Sequence, residues 1–273
     1  MPQTEVQRLK KSLNFLISHL PGVSEVVEAI DAENVTLDDD ELHAENPEEV
    51  LVGETFTGTT IARHQKALDE FRKRRHSNLE IGRFYERYIG YLYETDGWHV
   101  TYKGIIDGFG DLGRDLICVK GDVHKIVQAK CWSKKKSIQV KDIYQLDSTT
   151  KHYAMSFRKA LRESGKSRGA VREIMKKINK NLKSELVSST GLSEDAQEVV
   201  KYIGENKFEH RIEELDKNYP MVKCNINKHT GNKIYHLPFN RTYDTIIIGN
   251  VKGEKYVDTC EEAEQLGFRY VDS

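Results

Sequence analysis
Gly110 to Trp132 reads GDLGRDLICVKGDVHKIVQAKCW, and this stretch decides the fold. Leu116–Lys120 is short, apolar and partly β-branched. Lys125–Trp132 repeats the pattern with polar interruptions, so both segments are predicted strands. Gly121-Asp122 between them suits a two-residue hairpin turn with glycine at the first central position. That turn sets a register: Lys120 faces Val123, Val119 faces His124, and so on back to Asp115 facing Gln128. Side chains alternate between the two faces, so Lys130 shares the face of Gln128, one step along. Opposed Cβ atoms stand roughly 5 Å apart. An acid, an amide and an amine then converge on one patch, provided no bulge intervenes near Asp115.

Such a trio suits a metal-dependent reaction on a phosphate. Asp115 offers hard oxygens for Mg²⁺, with Mn²⁺ a plausible substitute. Gln128 offers a neutral carbonyl, and the backbone carbonyl of Ala129 a further oxygen. Mg²⁺ takes one or two carboxylates, keeps several waters and accepts a substrate phosphate. Lys130 could orient a water or steady charge growing on the phosphate. The plainer alternative is a surface hairpin with a polar edge, because short motifs match by accident.

The order of segments adds to this. GRFYERYIGYLYETDGWHV (82–100), GDLGRDLICV (110–119) and VQAK (127–130) together resemble the catalytic domain of Mrr-type restriction endonucleases, within the PD-(D/E)xK superfamily. The resemblance implies that Asp115 is the metal-binding acid, that Gln128 and Lys130 form the Q-x-K pair, and that Glu86 is the acid carried on the preceding helix. Asp111 matches the first acid of the D-x-G-x-D run. Gln128 stands where the wider superfamily has Glu, which removes one negative charge and puts more weight on Glu86. The implied fold is α/β, a restriction-endonuclease-like mixed sheet of four to five strands with helices on both faces. The implied activity is Mg²⁺-dependent cleavage of DNA in restriction or phage defence. Junction or repair cleavage, or a nucleic-acid-binding protein that has lost cleavage, are the alternatives. Double-strand cutting by a chain with one centre calls for a homodimer or higher oligomer.

The formal charge of −1 hides an asymmetry along the chain. Residues 31–49 carry nine acids and no Lys or Arg, whereas 151–183 carry eleven Lys or Arg and two acids. A near-neutral total therefore does not argue against DNA, since local patches carry that attraction. The acidic run reads as a solvated linker; a nucleic-acid mimic shielding a basic site is the sharper reading. Lys134, Lys135 and Lys136, just past the hairpin, could meet phosphates. So could Arg158, Arg162, Arg168, Arg172, Lys176 and Lys177, expected beside the site on an insertion over 154–183 made of two helices split at Ser164-Gly165. Four widely spaced cysteines without a CxxC suit a reducing cytoplasm. No apolar run approaches the length of a membrane span.

Three regions are expected. Residues 1–76 form an N-terminal helical extension, with helices over 6–30 broken at Pro21-Gly22, the acidic linker, a short strand and turn over 50–60, and a helix over 61–75. Residues 77–218 form the nuclease domain, with a helix over 78–95, a strand over 98–102, a helix from Val140, a strand over 185–190, a helix capped by Ser193 and a strand over 207–212. Residues 219–273 form a small α/β module. Its CNI (224–226), KIYHLP (233–238) and GEKY (253–256) segments resemble a module at the C-terminus of various bacterial nucleases, suited to accessory DNA contact or self-association. Cys224, His229, His236 and Cys260 invite a zinc site. Their spacing is irregular, and buried cysteines with hydrogen-bonded histidines are the plainer reading.

Overall fold
The computed structural model describes residues 51–53, 57–104 and 114–270. The helices expected over 6–30, the acidic run and Asp111 lie outside the described residues. Leu51 and Val52 are helical where a strand was expected.

The hairpin forms in the predicted register. β2 (Leu116–Lys120) and β3 (Val123–Lys130) pair antiparallel, with Lys120 opposite Val123 and Leu116 opposite Val127. Gly121 takes φ +60°, a conformation that costs glycine little and β-branched residues much. β1 (His99–Tyr102) lies antiparallel on the other edge of β2. β4 (Leu182–Ser188) and β5 (Phe208–Ile212) add in parallel beyond β3. The five strands stand in chain order, a mixed sheet.

Helices cover both faces. α2 (Asn78–Thr95) covers one, and α1 (Thr60–Lys73) packs against α2 through Phe71 on Phe84. Ser77 and Glu80 close a reciprocal capping box at the start of α2. Burial raises the Glu80 pKa, but hydrogen bonds from His76, the Ser77 N–H and Arg74 outweigh that and bring it down to about 2. α2 lies tight on β1: a Cβ at Gly90 would stand 2.3 Å from the Tyr102 hydroxyl, so only glycine fits there. On the other face lie α3 (Val140–Glu163), α4 (Arg168–Asn181) and α5 (Glu194–Ile203). Their apolar residues Ile143, Leu146, Ile178 and Ala196 meet Ile126 and Leu186 of the sheet.

The C-terminal residues form a second sheet, in the order β8 (Lys255–Val257), β6 (Val222–Ile226), β7 (Lys233–His236), β9 (Arg269–Tyr270), with α6 (Cys260–Gln265). Parts of all three expected regions share one core. Ala67, Leu68 and Phe71 of α1 share one core with Tyr235, Phe239 and Cys260 of the C-terminal module and with α2. His64 Nδ1 meets the Tyr235 hydroxyl at 2.9 Å, and the Cys260 N–H donates to Gln65 Oε1 at 2.9 Å. Arg87 of α2 makes a two-pronged pair with Asp244 at 2.8 and 2.7 Å. α1 therefore belongs to the body of the protein; its apolar face could not be left in water at ~25 cal/mol per Å².

Candidate active site
Asp115 sits just past the regular hairpin, displaced from the expected register. The regular ladder stops at Leu116. One residue earlier, the Asp115 N–H donates to the Val127 carbonyl at 3.0 Å rather than to Gln128, the residue opposite it in the extrapolated register. The Asp115 carboxylate in turn accepts the Ala129 N–H on Oδ2 at 2.6 Å. In an extended strand the N–H and C=O of one residue point to the same side, so the Ala129 carbonyl also faces Asp115. Asp115 is buried, at 8% exposure, and tethered by the strand that carries the Q-x-K pair.

Glu86 reaches the same place from α2. An atom at the Cβ position of Gly104 would lie 2.8 Å from Glu86 Oε2 and 3.3 Å from Asp115 Oδ1. The absence of a side chain at Gly104 keeps open a small space bordered by two carboxylates. Gln128, buried at 5% exposure, presents an Oε1 that makes no hydrogen bond. An acceptor shut away in this manner costs about 1–3 kcal/mol. Two carboxylates facing one space, as Glu86 and Asp115 do, match with neutral oxygens the preference of Mg²⁺. Among the described residues no group of three or more His, Cys, Asp and Glu is gathered for a metal.

Lys130 departs from the expectation. Its Nζ lies 2.9 Å from Asp142 Oδ1 and 4.7 Å from the centre of the Trp132 ring. Asp142 is buried, and its other oxygen accepts the Gln139 N–H at 2.9 Å, capping α3. The lysine is thus held against the first turn of α3. Asp142 was missed in the sequence because its signal is a capping box opened by Gln139, a residue type rarely used at that position. Gly104 carried no sequence signal, since the space it leaves depends on the approach of α2.

A groove of about 890 Å³ crosses the end of β3, between the first turns of α2 and α3. Ile81 and Gly82 line one wall; Lys130, Trp132, Lys136 and Lys141 line the other. Glu86 is four residues on from Gly82, on the same face of α2, so the groove leads toward the carboxylates. Lys135 also lines it. Lys134 does not, and pairs on the surface with Glu214 at 2.8 Å. Lys141 was not anticipated. A cation in the first turn of a helix opposes the helix dipole, a placement that an anion in the groove would offset.

Residues 80–180 match the family model described as Mrr_cat, restriction endonuclease. That stretch is an Mrr-type restriction endonuclease domain. The match covers Glu86, Asp115, Gln128 and Lys130 and runs through α3 and most of α4. Membership implies a nuclease acting on DNA, of a family that is typically metal-dependent. No curated protein and no solved structure matches the chain. Among the described residues no helix is long and apolar enough to cross a membrane.

Two expectations about the periphery of the Mrr-type domain are corrected. The basic segment is not beside the site. α3 leaves Asp142 at Lys130, passes Ser184 at Thr150 (2.8 Å) and reaches His124 at Tyr153 (2.8 Å). It thus runs back along β3, and α4 returns only as far as Leu182, which pairs with His124. Arg158, Arg162, Arg168, Arg172, Lys176 and Lys177 therefore sit toward the end of the domain away from Lys130, with the six steps along β3 from His124 to Lys130 spanning about 20 Å. The proposed zinc ligands are not gathered either. Cys224 and Cys260 are buried in the module's core, and burial pushes both thiols up to about 12. His236 is buried against Asn225 and Thr242, while His229 sits exposed on a turn.

Proposed function
We propose that this protein is a Mg²⁺-dependent DNA endonuclease that hydrolyses phosphodiester bonds, serving restriction or phage defence. The observation that carries the reading is the convergence of Glu86 Oε2 and Asp115 Oδ1 on the space beside Gly104, taken with the buried Gln128 Oε1 that makes no hydrogen bond. Asp115, Glu86, Gln128 and the Ala129 carbonyl would hold the ion. When bound it would supply positive charge to the phosphate and lower the pKa of a coordinated water. Asp115 is fixed for this by the Ala129 N–H. Lys130 would turn from Asp142 toward the phosphate or stay and orient the strand through it. Lys135, Lys136 and Lys141 would hold flanking phosphates in the groove. Mn²⁺ would substitute, and two copies of the chain would be needed to cut both strands.

The pairing of Lys130 with Asp142 is the one observation that favours a binding protein without cleavage. One experiment separates the two. Supercoiled, linear, single-stranded and branched DNA, and RNA, are incubated with Mg²⁺ and with wild type, Asp115→Ala or Lys130→Ala. Cleavage by wild type alone supports the nuclease. DNA bound by all three proteins and cut by none would sink it. Preference for branched DNA would assign the activity to junction or repair cleavage.

A further inference from the structure
The hairpin of α3 and α4 reaches beyond the sheet, and its outer part has no structural use for its charge. The last residue of α3 packed on the core is Phe157, and the first fully buried residue of α4 is Val171. Between Arg158 and Arg172 stand six cations and one acid, all exposed. The acid, Glu163, lies 3.8 Å from Lys159. Arg158, Arg162, Lys166, Arg168 and Arg172 make no ion pair within the described residues. Gathering like charges at one tip is unfavourable, and the apolar contacts of Phe157, Val171, Met175 and Ile178 anchor the hairpin without them.

The tip is also far from the groove. From Asp142 to Arg162 along α3 is about 30 Å, several times the screening length of roughly 8 Å at physiological salt. The tip therefore cannot act on the groove through its field, only through a ligand that touches both. The side of α3 that joins them carries Lys141, Tyr144, Ser148, Lys151 and Met155, all exposed. Asp147, the acid beside this stripe, is half-buried and paired with Lys151 at 2.6 Å.

We propose that the α3–α4 hairpin is a second contact surface for duplex DNA, so that the substrate is a duplex long enough to lie along α3 from the groove to the tip. This rests on the nuclease reading of the groove. A span of 30 Å is about nine base-pair steps at 3.4 Å. A duplex is straight over that distance, with a persistence length of about 150 base pairs, and bridges both surfaces without ordering. A single strand would have to be straightened first.

The test measures binding of the full chain to labelled duplexes from about 8 to about 24 base pairs, bracketing that span, in EDTA to block cleavage. Affinity is corrected for the number of overlapping registers. Wild type should gain about tenfold between the shortest duplex and those past about 12 base pairs. Replacing Arg158, Arg162 and Arg168 together by Gln should remove that gain. It should also reduce the slope of log K against log salt by roughly 2 to 3 on the longest duplex. A wild type without the gain, or a variant that keeps it, overturns the proposal, as does an equal gain on single strands. Cleavage by wild type in Mg²⁺ is measured in parallel. If wild type cuts DNA and the gain is absent, the hairpin proposal falls and the nuclease stands; if wild type neither binds nor cuts, both fall. Circular dichroism checks that the exposed substitutions leave the fold intact.

Discussion

Lys130 and Lys223 are both lysines drawn into the interior, and their surroundings differ throughout. Lys223 is 1% exposed. Its Nζ donates to the carbonyls of Tyr243 and Ile246 at 3.1 and 2.7 Å and lies 4.6 and 4.5 Å from the ring centres of Tyr102 and Tyr243. Burial lowers its pKa, an effect that nearby Glu94 opposes. Glu94 in turn accepts from the Tyr256 hydroxyl at 2.6 Å, and burial raises its own pKa. Lys130 has one carboxylate partner and one ring, and opens onto a groove. The fold surrounds Lys223 and leaves Lys130 room to move. A lysine enclosed by carbonyls and rings fixes the position of the C-terminal module against β1 and α2. A lysine with one carboxylate partner and an open side is the one that, on the proposed nuclease function, would exchange that partner for a phosphate.

The contrast breaks first at Lys130→Met. Cleavage per folded molecule should fall by roughly 10²- to 10⁴-fold if the amine assists the reaction, beyond any stability lost at the buried Asp142 that the change leaves unpaired. An unchanged rate would remove Lys130 from the chemistry. Lys223→Ala should do the reverse, losing about 3 kcal/mol of stability measured by denaturant unfolding, with the rate per folded molecule maintained. A stable Lys223→Ala would mean the module is not fixed by that network.

Asp142→Asn sharpens the comparison. It keeps the cap on α3 but weakens the hold on Lys130, and should change kcat by about tenfold, the lower range for partners that orient a functional group, with KM little altered. A change confined to stability would reduce Asp142 to a capping residue. The smallest effect is on pH dependence. Burial, reinforced by Lys223, holds His236 down to about 4, below its ordinary value of 6.5. A histidine depressed in the folded state gives stability that is present above pH 6.5 and is lost as pH falls toward 4. Glu80, held at about 2, loses its contribution only from about pH 5 down to about pH 2. The module should therefore loosen at milder acidity than the start of α2. His236→Gln should flatten the melting temperature between pH 6.5 and 4, followed by circular dichroism.

The parts of the fold that were legible were those set by neighbouring residues. α2 spans the 78–95 expected of it, and the Gly121-Asp122 turn fixed the pairing down to Leu116. Asp115 and Glu86 were legible as a pair because the family motif carries both. What the sequence did not show depends on direction in space. A run of cations in 154–183 says nothing about which way α3 travels, and the packing of Ile143 and Leu146 on Ile126 and Leu186 sends it away from Lys130. The partner of Lys130 was hidden for a related reason: Asp142 is twelve residues on, and only the return of α3 over the sheet brings it back. The union of α1 with the C-terminal module could not be read locally either, since His64 and Tyr235 are 171 residues apart.

That union bears on synthesis. The apolar side of α1, with Ala67, Leu68 and Phe71, is among the first described parts of the chain to be made, and its cover in β7 and α6 is among the last. At about 5–20 residues per second, some 200 residues must follow before that side is covered, on the order of ten seconds or more. During that interval α2 also waits for Asp244 to neutralise Arg87. A truncated product of an interrupted message would leave the apolar side of α1 without its cover and Arg87 without its carboxylate.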